Sequence, residues 1–152
     1  MQIVEDLMSR NVKTLDRNDR LTLAEDLMQA SRIRHLPVVN DRGRLVGILS
    51  QRDLFHSALV RALGFGTNAK DKMLSGIPVK NVMHDQVVTT TPDTPVADAA
   101  RLMMEHKVGC LPVLRGEELV GILTEGDFVA AAANAAPGQS EAAPVPGAQD
   151  IP

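Results

Sequence analysis

The chain has little that would tie it to a membrane, a disulfide framework or a nucleic acid. Its 152 residues include no Trp, no Tyr and three Phe, so no platform for stacking successive bases is evident. A single cysteine, Cys110, cannot form an internal disulfide, and Met1 opens no basic-then-apolar leader. No apolar run approaches the roughly 18 residues needed to cross a bilayer. Sixteen Lys and Arg stand against nineteen Asp and Glu, a formal charge of −3, so a phosphate-tracking basic stripe is missing too. The expectation is a soluble, cytoplasmic protein with no nucleic-acid and no membrane partner. With 44% hydrophobic residues and about one domain's length, the chain can bury about two-thirds of the surface its unfolded form exposes.

What is present is a repeat. A shift of 75 positions lays Val4-Glu-Asp-Leu-Met8 on Val79-Lys-Asn-Val-Met83, and Leu36-Pro37-Val38 on Leu111-Pro112-Val113. After a one-residue gap, Leu45-Val-Gly-Ile-Leu49 falls on Leu119-Val-Gly-Ile-Leu123. Sixteen of 46 aligned positions are identical, with Pro, Gly and Asp paired in fixed order. Convergent apolar patterning explains Leu against Leu but not those pairs. The chain is a tandem duplication, read as repeat 1 with a bridging helix over 1–66 and repeat 2 over 67–133. Residues 134–152 differ in kind: 11 of the 19 are Ala, Pro or Gly and none is basic. Such a composition cannot offset its ordering entropy, and a disordered tail is expected.

Each copy reads as β-α-β-β-α, an α+β fold. An extended piece (Asn11 to Leu15; Gln86 to Thr90) leads into an amphipathic helix with apolar residues at Leu23, Leu27 and Ala30, or at Ala99, Leu102, Met103 and Val108. Thr94 is the expected N-cap of the second helix, with Pro95 at its first position, and Asp19 is the expected cap of the first. Strands Leu36 to Val39 and Leu45 to Leu49 flank a Gly43 turn; Leu111 to Leu114 and Leu119 to Leu123 flank Gly116. Ile3 to Met8 and Pro78 to Met83 look like single helical turns. A bridging helix over Leu54 to Leu63 is broken by Gly64 to Asn68. A half of about 55 residues is marginal alone. Two halves packed about a pseudo-twofold axis bury their apolar faces and leave a crevice between them.

The chemistry lies in Gly47-Ile48-Leu49-Ser50-Gln51-Arg52-Asp53, which returns as Gly121-Ile122-Leu123-Thr124-Glu125-Gly126-Asp127. A strand ends at the hydroxyl residue and a helix begins, with free N–H groups that stabilise an anion. The Asp carboxylate points back toward that end and can accept both hydroxyls of a vicinal diol, such as a ribose offers. Gly47 and Gly121 are read as removing bulk beside the crevice. A hydroxyl N-cap followed by an acid at the third helical position is also an ordinary capping box, worth about 1 kcal/mol with no ligand. Spacing alone does not choose between these.

Taken together, the two motifs, the two Leu-Pro-Val strands and the two leading Val-Met segments resemble paired cystathionine-β-synthase-type (CBS) domains, the Bateman module, in its stand-alone bacterial form. The resemblance spans residues 3 to about 130. It implies a nucleotide between the repeats, with hydroxyl and Asp from one copy and an apolar clamp for adenine from the other. One implied site joins Ser50, Asp53 and Ile48 to Val88, Thr94, Ala99, Val108, Cys110 and Pro112. The other joins Thr124, Asp127 and Ile122 to Lys13, Asp19, Ala24, Ile33, Arg34, His35 and Pro37. Arg34 and His35 supply charge-assisted bonds to phosphate, against Gly109-Cys110 in the other copy, so the Asp127 site is the expected better one. Arg34 or Arg52 serving the other site is the alternative, since both phosphate ends face the central axis.

Nothing in the sequence points to catalysis. Cys110 lies on an apolar strand without a basic neighbour, and His35, His56, His84 and His106 lack metal-ligand spacing. No nucleophile set and no phosphate loop is found. The expectation is a non-enzymatic regulatory module with no catalytic cofactor and no metal, sensing an adenosine-containing molecule (AMP or ATP foremost) and signalling to an unknown protein partner. The alternative is a structural homodimerisation module with an empty crevice. A homodimer is expected through Phe55, Ala58, Leu59 and Ala62 and through Phe128 to Ala133.

Overall fold

The computed structural model describes residues 1–56 and 74–135. Most of the expected 54–63 bridging helix, its 64–68 break and residues 136–152 lie outside the described residues. Apolar alternation and tight turns produce two small sheets. In the first, β1 (Leu15–Asp16) runs parallel to β2 (His35–Val39), which pairs antiparallel with β3 (Leu45–Ser50). The second pairs β4 (Cys110–Arg115) with β5 (Glu118–Thr124), and a parallel bridge from Thr90 to Val113 stands where β1 stands in the first. Gly43 and Gly116 close the hairpins with φ of 73° and 62°, a region open to glycine. Each β-α-β-β-α reading therefore describes a real unit.

The helices α2 (Leu21–Ser31) and α3 (Val96–His106) end alike. Arg32 and Lys107 take left-handed φ of 53° and 54°, and the next residues, Ile33 and Val108, donate N–H back to Met28 and Met103 at 3.1 Å. That closure satisfies orphan carbonyls and drops an aliphatic side chain against the core. The helix starts differ from expectation. Leu21 and Val96 are the first helical residues, flanked by Arg20 and Pro95. Asp19 instead accepts the Asp16 N–H at 2.8 Å, and the Thr94 hydroxyl bonds that of Thr91 at 2.7 Å, so both tie down the preceding turns. The buried stripe of α2 is Leu21, Ala24 and Met28, whereas Leu23 and Ala30 are exposed. In α3 the expected Ala99 and Met103 are buried.

The leading segments exchange partners between the copies. α1 (Val4–Leu7), which opens repeat 1, packs in the second core with Leu111, Val113 and Leu123. Its backbone donates from Val4 to Thr94 and from Glu5 to Pro92, and Ser9 and Ile122 exchange bonds of 2.9 and 3.0 Å. Reciprocally, the 3₁₀ turn Val79–Asn81, which opens repeat 2, seats Val79 in the first core beside Leu21, Leu36 and Leu49. There Val79 donates to Asp19, Lys80 to Arg17, and Ile48 and His84 exchange two bonds of 2.9 Å. This exchange explains the motif glycines. A Cβ on Gly47 would collide with the Met83 thioether and approach the His84 carbonyl, and one on Gly121 would collide with Met8. The glycines admit the exchanged methionines; they do not clear space for a ligand.

Candidate ligand-binding cleft

β3 ends at Ser50 and residues 51–56 continue as helix; β5 ends at Thr124 and α4 (Glu125–Ala133) follows. Both corners are capping boxes. The Asp53 Oδ2 accepts the Ser50 N–H at 3.1 Å, while the Ser50 hydroxyl accepts the Asp53 N–H at 3.0 Å. In the second, Asp127 Oδ2 accepts the Thr124 N–H at 2.8 Å and its hydroxyl at 3.3 Å. The two carboxylates differ at the other oxygen. Asp53 Oδ1 lies 2.9 Å from His84 Nε2, a residue of the exchanged segment. Among the described residues, Asp127 Oδ1 has no hydrogen-bond partner. Burial alone would raise the Asp53 pKa; bonds from Ser50 and His84 outweigh it and hold the carboxyl below its ordinary value.

Beside the Asp53 corner opens a cleft of about 1170 Å³ that reaches across to repeat 2. Its volume exceeds the usual few hundred to 1,000 Å³ of small-molecule sites. Ile48, Ser50 and Asp53 line one wall, and Val88, Val108, Cys110 and Pro112 the other. The expected site around Asp53 is thus largely brought together. Two of its members are not: Thr94 sits in its turn, and Ala99 is sealed in the second core with no exposure.

Arg34 and His35 also line this cleft. They lie beside the Asp53 corner because β2 neighbours β3: His35 pairs with Ser50, and the Arg34 carbonyl accepts the Gln51 N–H at 2.7 Å. The charge that the sequence assigns to the Asp127 set therefore faces the Asp53 cleft instead. The remainder of that set does not line this cleft. Ala24 and Pro37 are fully buried, Ile33 packs on the first core, Lys13 is exposed, Asp19 closes a turn, and Ile122 bridges to Ser9.

Further lining residues were not assigned to the site from sequence: Gln51, Arg52, Phe55, His84, Asp85, Gln86, Val87, Lys107, Gly109 and Glu125. Arg52 enters the sequence reading only as an alternative phosphate partner. Residues 84–87 reach the cleft through the exchange of segments, which local pattern does not encode. Lys107 and Gly109 flank the Val108 already named, so proximity in sequence was an available signal.

The cleft mixes three basic side chains, Arg34, Arg52 and Lys107, with the acidic Asp53, Asp85 and Glu125. His35 stands where the repeats meet: a Cβ on Gly109 would lie 3.2 Å from its ring. Burial lowers the His35 pKa, only partly countered by Glu125 and Asp53. Burial pushes the Cys110 thiol up to about 12, so it stays protonated and unreactive as a nucleophile near neutrality. Among the described residues, no helix is long and apolar enough to cross a membrane, and no three His, Cys, Asp or Glu side chains gather as a metal set.

Comparison with known proteins agrees with this architecture. The chain is 33% identical over 129 residues to the uncharacterized protein MJ1404 of Methanocaldococcus jannaschii, covering 83% of this chain but 31% of that one. It likewise spans only 22% of a homoserine O-acetyltransferase from Methanococcus vannielii, at 29% identity. With the CBS domain-containing protein YhcV of Bacillus subtilis it shares 32% identity over 128 residues, 84% of each chain. Among solved structures, AcuB from Vibrio cholerae, named for acetoin utilization, is 40% identical with a TM-score of 0.75, covering 88% of this chain and 92% of that one. The CBS domain pair of MJ0100, solved with 5′-methylthioadenosine and S-adenosyl-L-methionine, is 27% identical with a TM-score of 0.71 over 88% and 97% of the chains. CBSX2, solved with AMP, is 29% identical with a TM-score of 0.72 over the same shares. The CBS domain model matches residues 4–59 and again 79–134. Two such matches on two exchanged, duplicated halves identify the chain as a member of the CBS domain family.

Proposed function

We propose that the chain is a regulatory module that binds an adenosine-containing molecule in the cleft beside Asp53. The observation that carries the reading is the cleft itself, which joins an apolar wall from repeat 2 to a hydroxyl, a carboxylate and three cations. In this reading Val88, Val108 and Pro112 flank the base, Asp53 holds the ribose, and Arg34, Arg52 and Lys107 meet the phosphates. The adenosine ligands of MJ0100 and CBSX2 support the ligand class. The module acts without chemistry of its own and signals by favouring one arrangement of the halves over another, which requires unequal affinity for the two.

Binding is tested by thermal unfolding with millimolar AMP, ATP and S-adenosylmethionine. A ligand held only by the folded chain raises the midpoint. No rise with any of the three favours the second reading, a homodimerisation module with an empty crevice. That reading draws on the capping boxes, which give Ser50, Asp53, Thr124 and Asp127 structural duties without a guest. In either reading the chain is proposed to be a homodimer; Val129 on α4 is 68% exposed, and Phe55, 67% exposed, also lines the cleft. Light scattering that reports a monomer at micromolar concentration would refute it.

A further inference from the structure

We propose that His84 is a built-in competitor for the ligand at Asp53, which makes the two duplicated corners unequal in their readiness to bind. The inference rests on the adenosine reading above and adds a gate to the same site. A carboxylate grips a diol with the oxygen that faces the cleft. In Asp53 one oxygen, Oδ2, is committed to the Ser50 N–H at 3.1 Å. The other, Oδ1, is taken by His84 Nε2 at 2.9 Å, and both Asp53 and His84 line the cleft. The imidazole already takes one of the two acceptor positions of Oδ1 on the side that lines the cleft, so a sugar hydroxyl must compete with it there.

The geometry makes that departure a side-chain event. The His84 backbone is held to Ile48 by two bonds of 2.9 Å, so the segment is anchored and only the imidazole need move to break its contact with Asp53. The ring is 65% exposed, so turning it into water leaves no buried polar group unsatisfied. The second copy has no such gate. Ser9 holds the place of His84 in its bridge with Ile122, and among the described residues Asp127 Oδ1 is without a partner. The duplicated corners thus share a cap and differ in an occupant.

Binding of AMP, ATP and S-adenosylmethionine to the full chain and to His84→Ala, measured by calorimetry at pH 7.5, gives opposite signs for the two roles open to His84. As a competitor, its removal tightens binding, about two- to fivefold for an exposed pair. As a ligand contact, its removal weakens binding. Repeating the substitution in an Asp53→Asn background, which keeps an acceptor for the cap, should abolish the gain. Unchanged or weakened binding in His84→Ala overturns the gate and leaves the adenosine reading standing. A gain that persists with Asn at position 53 overturns the gate as well. If neither chain binds any of the three while both unfold at the same midpoint, the adenosine reading fails and the gate with it. Binding seen only with His84→Ala supports both.

Discussion

Two corners of this molecule carry the same motif and meet different company. At Asp53 the helix start lies against Arg34, His35 and His84 on a wide cleft; at Asp127 the cap is as well made, yet one carboxylate oxygen is unclaimed. Duplication copied the backbone and the cap, because those depend on strand, turn and N-terminus alone. It did not copy the electrostatics, because the residues facing each corner diverged: Arg34-His35 against Gly109-Cys110, and His84 against Ser9. Equal folds with unequal sites is what one expects when packing constrains a position more tightly than ligand recognition does.

That contrast is broken most directly in the cores. Leu36 and Leu111 are matched positions on β2 and β4, each fully buried. Truncating either to Ala removes the same methyl groups from equivalent packing and should cost about 2–5 kcal/mol, read from urea unfolding. If one repeat is much the more tolerant, the halves are not structural equals. The corners should respond differently. Asp53→Ala and Asp127→Ala each lose a cap worth about 1 kcal/mol of stability. On the proposed function, Asp53→Ala also weakens adenosine-ligand binding by about 1.5–3 kcal/mol, the cost of hydrogen bonds to a charged group. Asp127→Ala should leave most of the affinity in place. Calorimetry showing the reverse order would place the principal site at the Asp127 corner.

The repeat, the four hairpin strands and both capping boxes were legible because each is written in short-range pattern; the extended pieces expected over Asn11 to Leu15 and Gln86 to Thr90 shrink to the two-residue β1 and a single bridge at Thr90. The helix phase in repeat 1 was not. Leu23, Leu27 and Ala30 form one helical stripe and Leu21, Ala24 and Met28 form its neighbour, so periodicity alone cannot say which faces inward. Tertiary packing chose the second. The exchange of leading segments was equally hidden: Val4–Met8 resembles Val79–Met83 whichever core each enters. That one ambiguity propagated to the site. It concealed His84 to Val87 as lining residues and gave the motif glycines the wrong neighbour. The placement of Arg34 and His35 followed from assigning them across the pseudo-twofold axis, whereas antiparallel pairing of β2 with β3 keeps them at their own corner.

The smallest effect separates His35 from Cys110, which open β2 and β4 at matched positions. Burial lowers the His35 pKa beneath 6.5, while the Cys110 thiol is pushed up to about 12. As pH falls below 6.5 the unfolded chain takes up the His35 proton before the folded one does. Stability then decreases with acidity until the folded His35 is itself protonated, and it rises again with pH over the same interval. Cys110 stays neutral throughout and adds no slope there. The neighbours that face His35 are Asp53, Glu125 and Arg34; replacing the imidazole with a neutral amide leaves all three in place. His35→Gln should therefore flatten the midpoint between pH 5 and 7, and Cys110→Ala should lower the midpoint without changing its slope. A profile unaltered by His35→Gln would mean that the ring keeps its ordinary affinity for the proton at the junction of the repeats.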